Sequence, residues 1–254
     1  MATYRIDPDL AFIGQCSNED LGLLVSVLTH DSKDGKKRLA ESLTASPEYQ
    51  LFYPDHQKYW PAICAELQAF GANSLVTLLR GNKGVLYREI LHDVCDKLKV
   101  NYNKESPVET TELNLLMKVL EKSLREMSQD ELVRFADGLK LNLSAPTPQL
   151  ILLAVQAAVT SSGVAALQFA TIAAVGVIEA MGGIATWGTL FAANRALGVL
   201  AGPVGIALSS AWLIADIAGP AYRVTVPACI IVAYLRQKAL AARFPYSAIP
   251  FVSD

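Results

Sequence analysis

Few residues in this chain of 254 amino acids are spaced for chemistry. His92 and Cys95 stand one helical turn apart, with Asp93 and Asp96 beside them, and all four are metal-ligating types. Two strong ligands without a second cluster fall short of the four that a structural zinc site takes, so no metal is expected and Cys95 reads more simply as a small core residue. Arg80-Gly81-Asn82-Lys83-Gly84, followed by Arg88, joins three cations to a glycine-rich turn at a helix start. Such a turn suits an anion, a lipid headgroup included. The Gly-x-x-x-x-Gly-Lys-Ser/Thr spacing of a P-loop is absent, and a helix–Gly–helix turn with solvated charges explains the same residues. Arg80, Lys83 and Arg88 are therefore carried as anion-binding candidates. The three histidines, His30, His56 and His92, lack a neighbouring serine or cysteine motif of nucleophile type. Glu66 and Glu89 are carboxylates that a helical fold can bring together, but their spacing does not require it. No catalytic residue, no cofactor and no enzymatic activity are expected.

The elements that would position these residues are helices. Asp7-Pro8 offers an N-cap and a proline at the first helical position. Ser17 caps a segment in which Leu21, Leu24, Val25 and Leu28 recur at helical spacing, and His30 to Gly35 is a polar loop. Ser46-Pro47 starts another helix, and Asp55 starts one running through Trp60, Ile63, Leu67 and Phe70 to Gly71. Gly81 and Gly84 bracket a connection into Val85–Lys99, whose Leu86, Ile90, Val94 and Leu98 share a face. Ser106-Pro107-Val108-Glu109 and Ser128-Gln129-Asp130-Glu131 both have the capping-box spacing. No segment alternates with period two, so the fold class expected is all-α.

Charge divides the chain. Residues 1–148 hold 17 of the 22 Lys and Arg and 21 of the 24 Asp and Glu, a net of −4, which leaves 5 basic and 3 acidic groups, a net of +2, for residues 149–254. Leu141 to Pro148, with two prolines, reads as a connector, and Leu141 to Ile178 contains no charged residue. That stretch exceeds the roughly 20 apolar residues a helix needs to cross a bilayer. Gly182-Gly183, Gly202-Pro203 and Gly219-Pro220 cut the remainder into about four closely packed helices. The last of them carries Pro227 within it and ends in the basic Arg236, Lys238 and Arg243. Three units follow: residues 1–45, a short helical module; 46–145, a helical domain; and 146–254, an apolar helical region, either membrane-interacting or buried.

Several runs carry a family resemblance. Asp7-Pro8-Asp9-Leu10-Ala11-Phe12 and Cys16-Ser17-Asn18-Glu19-Asp20-Leu21 resemble the opening module of the YaaW-type uncharacterised bacterial family. Glu66-Leu67-Gln68-Ala69-Phe70-Gly71 and Tyr87-Arg88-Glu89-Ile90-Leu91-His92-Asp93-Val94 are similar to its central region. Gly202-Pro203-Val204-Gly205 and Ala221 to Ala228 are similar to its C-terminal signature. The central region is grouped by similarity with ubiquinol–cytochrome c chaperones, helical proteins that assist assembly of a respiratory complex. The resemblance implies an all-α fold and assigns no functional residue.

Two functions fit these observations. In the first, the protein is a non-enzymatic, membrane-interacting protein whose apolar helices insert into or dock on the inner membrane, constitutively or conditionally in the manner of a helical pore-former. The contact would run through Leu150, Leu153, Val155, Val159, Leu167, Phe169, Ile172, Val175, Ile178, Leu197, Leu200, Leu208 and Leu213. Gly198 and Gly202, in GxxxG spacing, would let helices approach closely. Glu179, Arg195, Asp216 and Arg223 are the rare charges of that region and sit beside turn signals, as helix ends do. In the second, a soluble assembly factor binds a partner protein in a groove around Trp60, Phe70 and Tyr87. Partners are thus membrane lipid or a protein, with homo-oligomerisation compatible with both. No basic face points to nucleic acid. Four dispersed cysteines and a polar opening (Thr3, Tyr4, Arg5, Asp7) predict a cytoplasmic N-terminal part, inner-membrane associated through the C-terminal region.

Overall fold

A computed structural model describes residues 2–31, 36–72, 84–180 and 221–243, with side chains to Val177 in the third stretch. Within them the fold is all-α: nine α-helices joined by short 3-10 turns, and one isolated antiparallel bridge between His30 and Lys37. The opening strand of chain bends at residues 8–10 into a 3-10 turn, Ala11–Gln15, and then α1, Asn18–Thr29. Ser17 caps α1 by accepting from the Asp20 N–H at 3.2 Å. Helix α2, Pro47–Phe52, starts at the expected Ser46 cap with proline at its first position. Helix α3 spans Trp60–Ala72 and α4 spans Tyr87–Leu98, the latter ending on Lys99 in the left-handed conformation. Next come α5, Val108–Glu126, and α6, Gln129–Gly138. Apolar helices α7, Pro148–Ser161, and α8, Gly163–Ala180, precede the last described helix, α9, Tyr222–Arg243.

The two capping-box sequences behave differently. At Ser128 the box forms, with Glu131 accepting from the Ser128 N–H at 2.8 Å. At Ser106 it does not: Pro107 occupies the cap position and no side chain caps α5. The Ser106 N–H is already bonded to the Asn103 carbonyl, in a turn that starts the helix one residue later than the spacing suggests. Asp55 likewise heads a 3-10 turn, His56–Tyr59, without a side-chain capping bond, and α3 begins only at Trp60.

Helix α9 is the axis of the fold. Every residue from Val224 to Gln237 is buried, so the helix has no solvent face over most of its length. Its most extensive contacts are with α8, and it also packs on α1, α3, α4, α5 and the 3-10 turn at Ala11–Gln15. Helix α7 covers α8 and α5. An all-round apolar helix must be enclosed by protein or lipid, and here amphipathic α4 and α5 turn their apolar stripes toward it. Pro227 sits in the second turn, where it removes one backbone hydrogen bond while the helix continues through it.

Helices α3 and α4 approach closely at Gly71. A Cβ on Gly71 would lie 2.7 Å from Ile90 Cδ1, nearer still to Ile90 Cγ1, and 3.0 Å from Val85 Cγ2. Ile90 is buried and β-branched, so it has little freedom to move aside. Gly71→Ala should destabilise the protein by about 1–3 kcal/mol through overpacking. Ile90→Val, which removes one of the two colliding atoms, Cδ1, should recover part of that loss. Urea unfolding of both variants and the double variant checks this, and additive losses would show that the two sites do not touch.

Candidate functional site

The polar chemistry of the described residues concentrates where the opening segment meets α9. Arg236 lies in the last third of α9 with its side chain 8 % exposed, and Glu112 on α5 faces it fully buried. The Arg236 Nε–Glu112 Oε2 distance is 2.8 Å, and Arg236 Nη2 donates to the Asp9 carbonyl at 2.7 Å. Glu109, one turn before Glu112, stands 3.8 Å from Arg236 Nη1. The guanidinium carbon lies 4.4 Å from the Phe12 ring centroid and 5.9 Å from that of Tyr87. The Tyr87 hydroxyl donates to the other Glu112 oxygen at 2.8 Å. Planar, delocalised Arg suits this mixture of carboxylate, carbonyl and aromatic faces, where a Lys point charge would not.

Asp7 completes the cluster in an unexpected way. One oxygen caps its own segment, Oδ1 accepting from the Asp9 N–H at 3.0 Å, while the 3-10 turn that follows has no side-chain cap. The other, Oδ2, accepts from the Tyr87 N–H at 2.6 Å and from Gln68 Nε2 at 3.4 Å. Tyr87 is the first residue of α4, whose own cap position, Leu86, has no side-chain acceptor. Asp7 therefore caps α4 from 80 residues away, placing a negative charge at the positive end of its dipole. Gln68 on α3 holds the same segment by exchanging hydrogen bonds with the Arg5 backbone, at 2.9 and 2.8 Å. Further along, Asp20 in the first turn of α1 binds Lys238 Nζ with both oxygens at 2.8 Å, and Arg243 reaches Gln15 at 3.0 Å. Residues 9–20 are thus fastened to the C-terminal half of α9, and Arg5 and Asp7 to α3 and α4.

A family model described as a domain of unknown function, DUF3944, matches residues 4–39, which hold all of these N-terminal contacts. A UPF0174 protein of Helicobacter pylori (strain J99 / ATCC 700824) is 44 % identical over 240 residues, covering 92 % of this chain and 93 % of its own. The UPF0174 protein YaaW of Escherichia coli (strain K12) is 32 % identical over 237 residues, covering 92 % and 95 %. The chain belongs to the UPF0174 family. That membership bears out the YaaW-type resemblance, and the relatives' names attach no activity to it. No solved structure matches this UPF0174 chain.

The residues singled out in the UPF0174 sequence are dispersed. Arg88 is engaged, its Nε 3.5 Å from Asp9 and its Nη1 donating to the Ser106 carbonyl at 3.1 Å, while Arg80 and Lys83 lie outside the described residues. Of the apolar candidates, Leu150 and Leu153 are exposed, Val159 and Leu167 are half-buried, and Val155, Phe169, Ile172 and Val175 are buried. Leu197, Gly198, Leu200, Gly202, Leu208, Leu213 and the side chain of Ile178 lie outside the described residues, as do Arg195, Asp216 and the side chain of Glu179. Among the described residues no group of three or more His, Cys, Asp or Glu side chains is placed to hold a metal ion, and His92 packs against the Tyr102 ring. Glu66 and Glu89 take different partners: Glu66 binds the Ser42 N–H and hydroxyl at 2.8 and 2.6 Å, and Glu89 pairs with Arg5 at 3.8 Å. Of the residues expected to line a partner groove, Phe70 and Tyr87 are buried and Trp60 is half-buried. Burial pushes the Cys16 thiol up to about 11 and the Cys95 thiol up to about 12, so neither is a thiolate at neutral pH.

The carboxyl of Glu112 is pushed up to about 6 by burial, against the pull of the Arg236 charge and the hydrogen bonds from Arg236 and Tyr87. Its ordinary value is 4.5, so between these values the folded protein holds a proton that the unfolded chain releases. The stability linked to that proton is fully present below pH 4.5 and lost as pH rises through about 6. The amount is about 2 kcal/mol at most. Urea unfolding between pH 4.5 and 7 should therefore show the native protein gaining stability on acidification relative to Glu112→Gln. Parallel pH curves would show that Glu112 ionises as it does in water.

Proposed function

We propose that this protein is a non-enzymatic, membrane-docking helical protein, cytoplasmic at its N-terminal part and associated with the inner membrane through its C-terminal region. The observation that carries the reading is the outer edge of α7 and the start of α8. Leu150 is 45 %, Leu153 62 % and Val164 41 % exposed, within a stretch that has no charged residue from Leu141 to Ile178. Leu150 and Leu153 are three residues apart and so share one helix face. An uncharged helix face that carries exposed leucines suits the headgroup–acyl boundary better than water.

Docking and insertion are separate steps in this reading. Helix α9 is long and apolar enough to cross a bilayer, with a mean hydropathy of 1.3, but 78 % of that window is buried in protein. Core helices of soluble proteins meet the same criterion, so its burial supports conditional insertion over constitutive insertion. Release would require breaking the Arg236–Glu112 and Lys238–Asp20 contacts, which act as a latch. Acid does not open that latch through Glu112, because its protonation favours the folded state.

Full-length protein should sediment with phosphatidylglycerol vesicles, and Leu150→Gln with Leu153→Gln should reduce the bound share several-fold. Both side chains are exposed, so helix content by circular dichroism should not change. Alkaline carbonate should strip docked protein from the vesicles and leave only inserted protein behind. If the native chain stays wholly in solution as a defined species, or the double variant binds as well as it does, docking through α7 is wrong.

A further inference from the structure

Residues 7–20 hold four acidic side chains, Asp7, Asp9, Glu19 and Asp20, and no basic one. Three of those residues face positive groups of the helical body. Asp7 meets the N-terminus of α4 through the Tyr87 N–H. Asp9 stands 3.5 Å from Arg88 Nε on the same helix, and its carbonyl takes Arg236 Nη2 at 2.7 Å. Asp20 takes Lys238 Nζ at 2.8 Å with both oxygens. Opening segment and body thus meet acid to base, with Arg5–Glu89 a contact of reversed sign at the edge.

The cations of this junction differ in reach. Arg236 is buried and keeps Glu112 on α5 as a partner of its own. The side chains of Arg88 and Lys238 are 39 % and 47 % exposed. Acids of the body close by are committed elsewhere, Glu89 to Arg5 and both Glu109 and Glu112 to Arg236. The carboxylates that meet Arg88 and Lys238 come instead from the opening segment. Leu10 and Ile13 seat that segment in the core, so it stays in place while its carboxylates exchange. A partly exposed ion pair contributes little in water, and trading its carboxylate for another anion costs correspondingly little.

We propose that Arg88 and Lys238 are contacts for an anionic lipid surface, masked by Asp9 and Asp20 of the opening segment. The inference rests on the membrane-docking reading and adds a charged contact to the apolar face of α7. The two cations lie on different helices and each is open to solvent. A surface carrying many phosphates answers that arrangement better than one small anion does. Each cation released from its carboxylate adds attraction to an anionic leaflet, which acts within a Debye length. The opening segment thereby sets how strongly the protein holds such a membrane.

The test uses the full chain with phosphatidylglycerol and phosphatidylcholine vesicles, read by cosedimentation. Asp9→Asn with Asp20→Asn frees both cations and should raise the phosphatidylglycerol-bound share about fivefold at limiting lipid. Arg88→Gln with Lys238→Gln breaks the same two ion pairs but removes the cations, and should bind no better than the native chain. Lost stability alone would move both variants the same way. Binding to phosphatidylcholine should not change in either. Circular dichroism checks folding, and Asp20→Asn alone, which keeps an acceptor for the Ser17 hydroxyl, should give a smaller rise in the same direction. No rise in the asparagine variants, or an equal rise in the glutamine variant, overturns the proposal. Leu150→Gln with Leu153→Gln separates it from docking through α7. A rise that persists in that background supports the charged contact even if α7 contributes nothing. If those glutamines lower binding while the asparagines do not raise it, docking through α7 stands and the masked contact is wrong. If no form binds either vesicle, both are wrong.

Discussion

The guanidinium of Arg236 has almost no water around it, and the fold is arranged to make that tolerable. An unpaired buried cation costs several kcal/mol, whereas one held by carboxylate, carbonyl and aromatic faces can approach neutrality. Satisfying it takes groups from three places: Glu112 on α5, the Asp9 carbonyl in the opening segment, and the Phe12 and Tyr87 rings. Those groups are more than one hundred residues away in sequence. Displacing residues 7–12 therefore removes a ligand of Arg236 and, through Asp7, the cap of α4. Such coupling makes the opening segment part of the core even though it contains little regular helix.

By length and hydropathy alone α9 meets the requirement of a spanning helix and of a protein core helix alike. Its apolar surface gains by leaving water whether protein or lipid receives it, so hydropathy alone does not choose. Its charges do choose. Arg236 and Lys238 find specific acidic partners in the protein, and in a bilayer they would need to reach the interface. The folded arrangement supplies both partners. Against that, the α7 edge leaves Leu150 and Leu153 in water with no partner in the described fold. The two ends of the apolar region thus have opposite claims on solvent, which is why docking precedes any insertion in the proposed reading.

The helical character of the fold was legible because apolar spacing and start signals are local. Ser17, Ser46 and the Ser128 box all cap the helices that follow them, as read. The capping box at Ser106 failed because a preceding turn had already taken the serine N–H, a competition that the four-residue pattern does not encode. Asp7 was legible only in part. It reads as a local cap and does take the Asp9 N–H, but its second oxygen caps α4, 80 residues on, which local spacing does not encode. The Glu112–Arg236 pair left a faint trace: Glu112 falls on the stripe shared by Leu115, Leu116 and Val119, and Arg236 follows a long apolar run. A charge on a buried stripe signals a partner, but nothing in either segment names the other.

Charge placement also separates the two ends of α9. At the C-terminal end every cation has an assigned partner: Glu112 for Arg236, Asp20 for Lys238 and Gln15 for Arg243. At the N-terminal end Arg223 Nε has no acceptor among the described residues. The C-terminal pairs close the fold on itself.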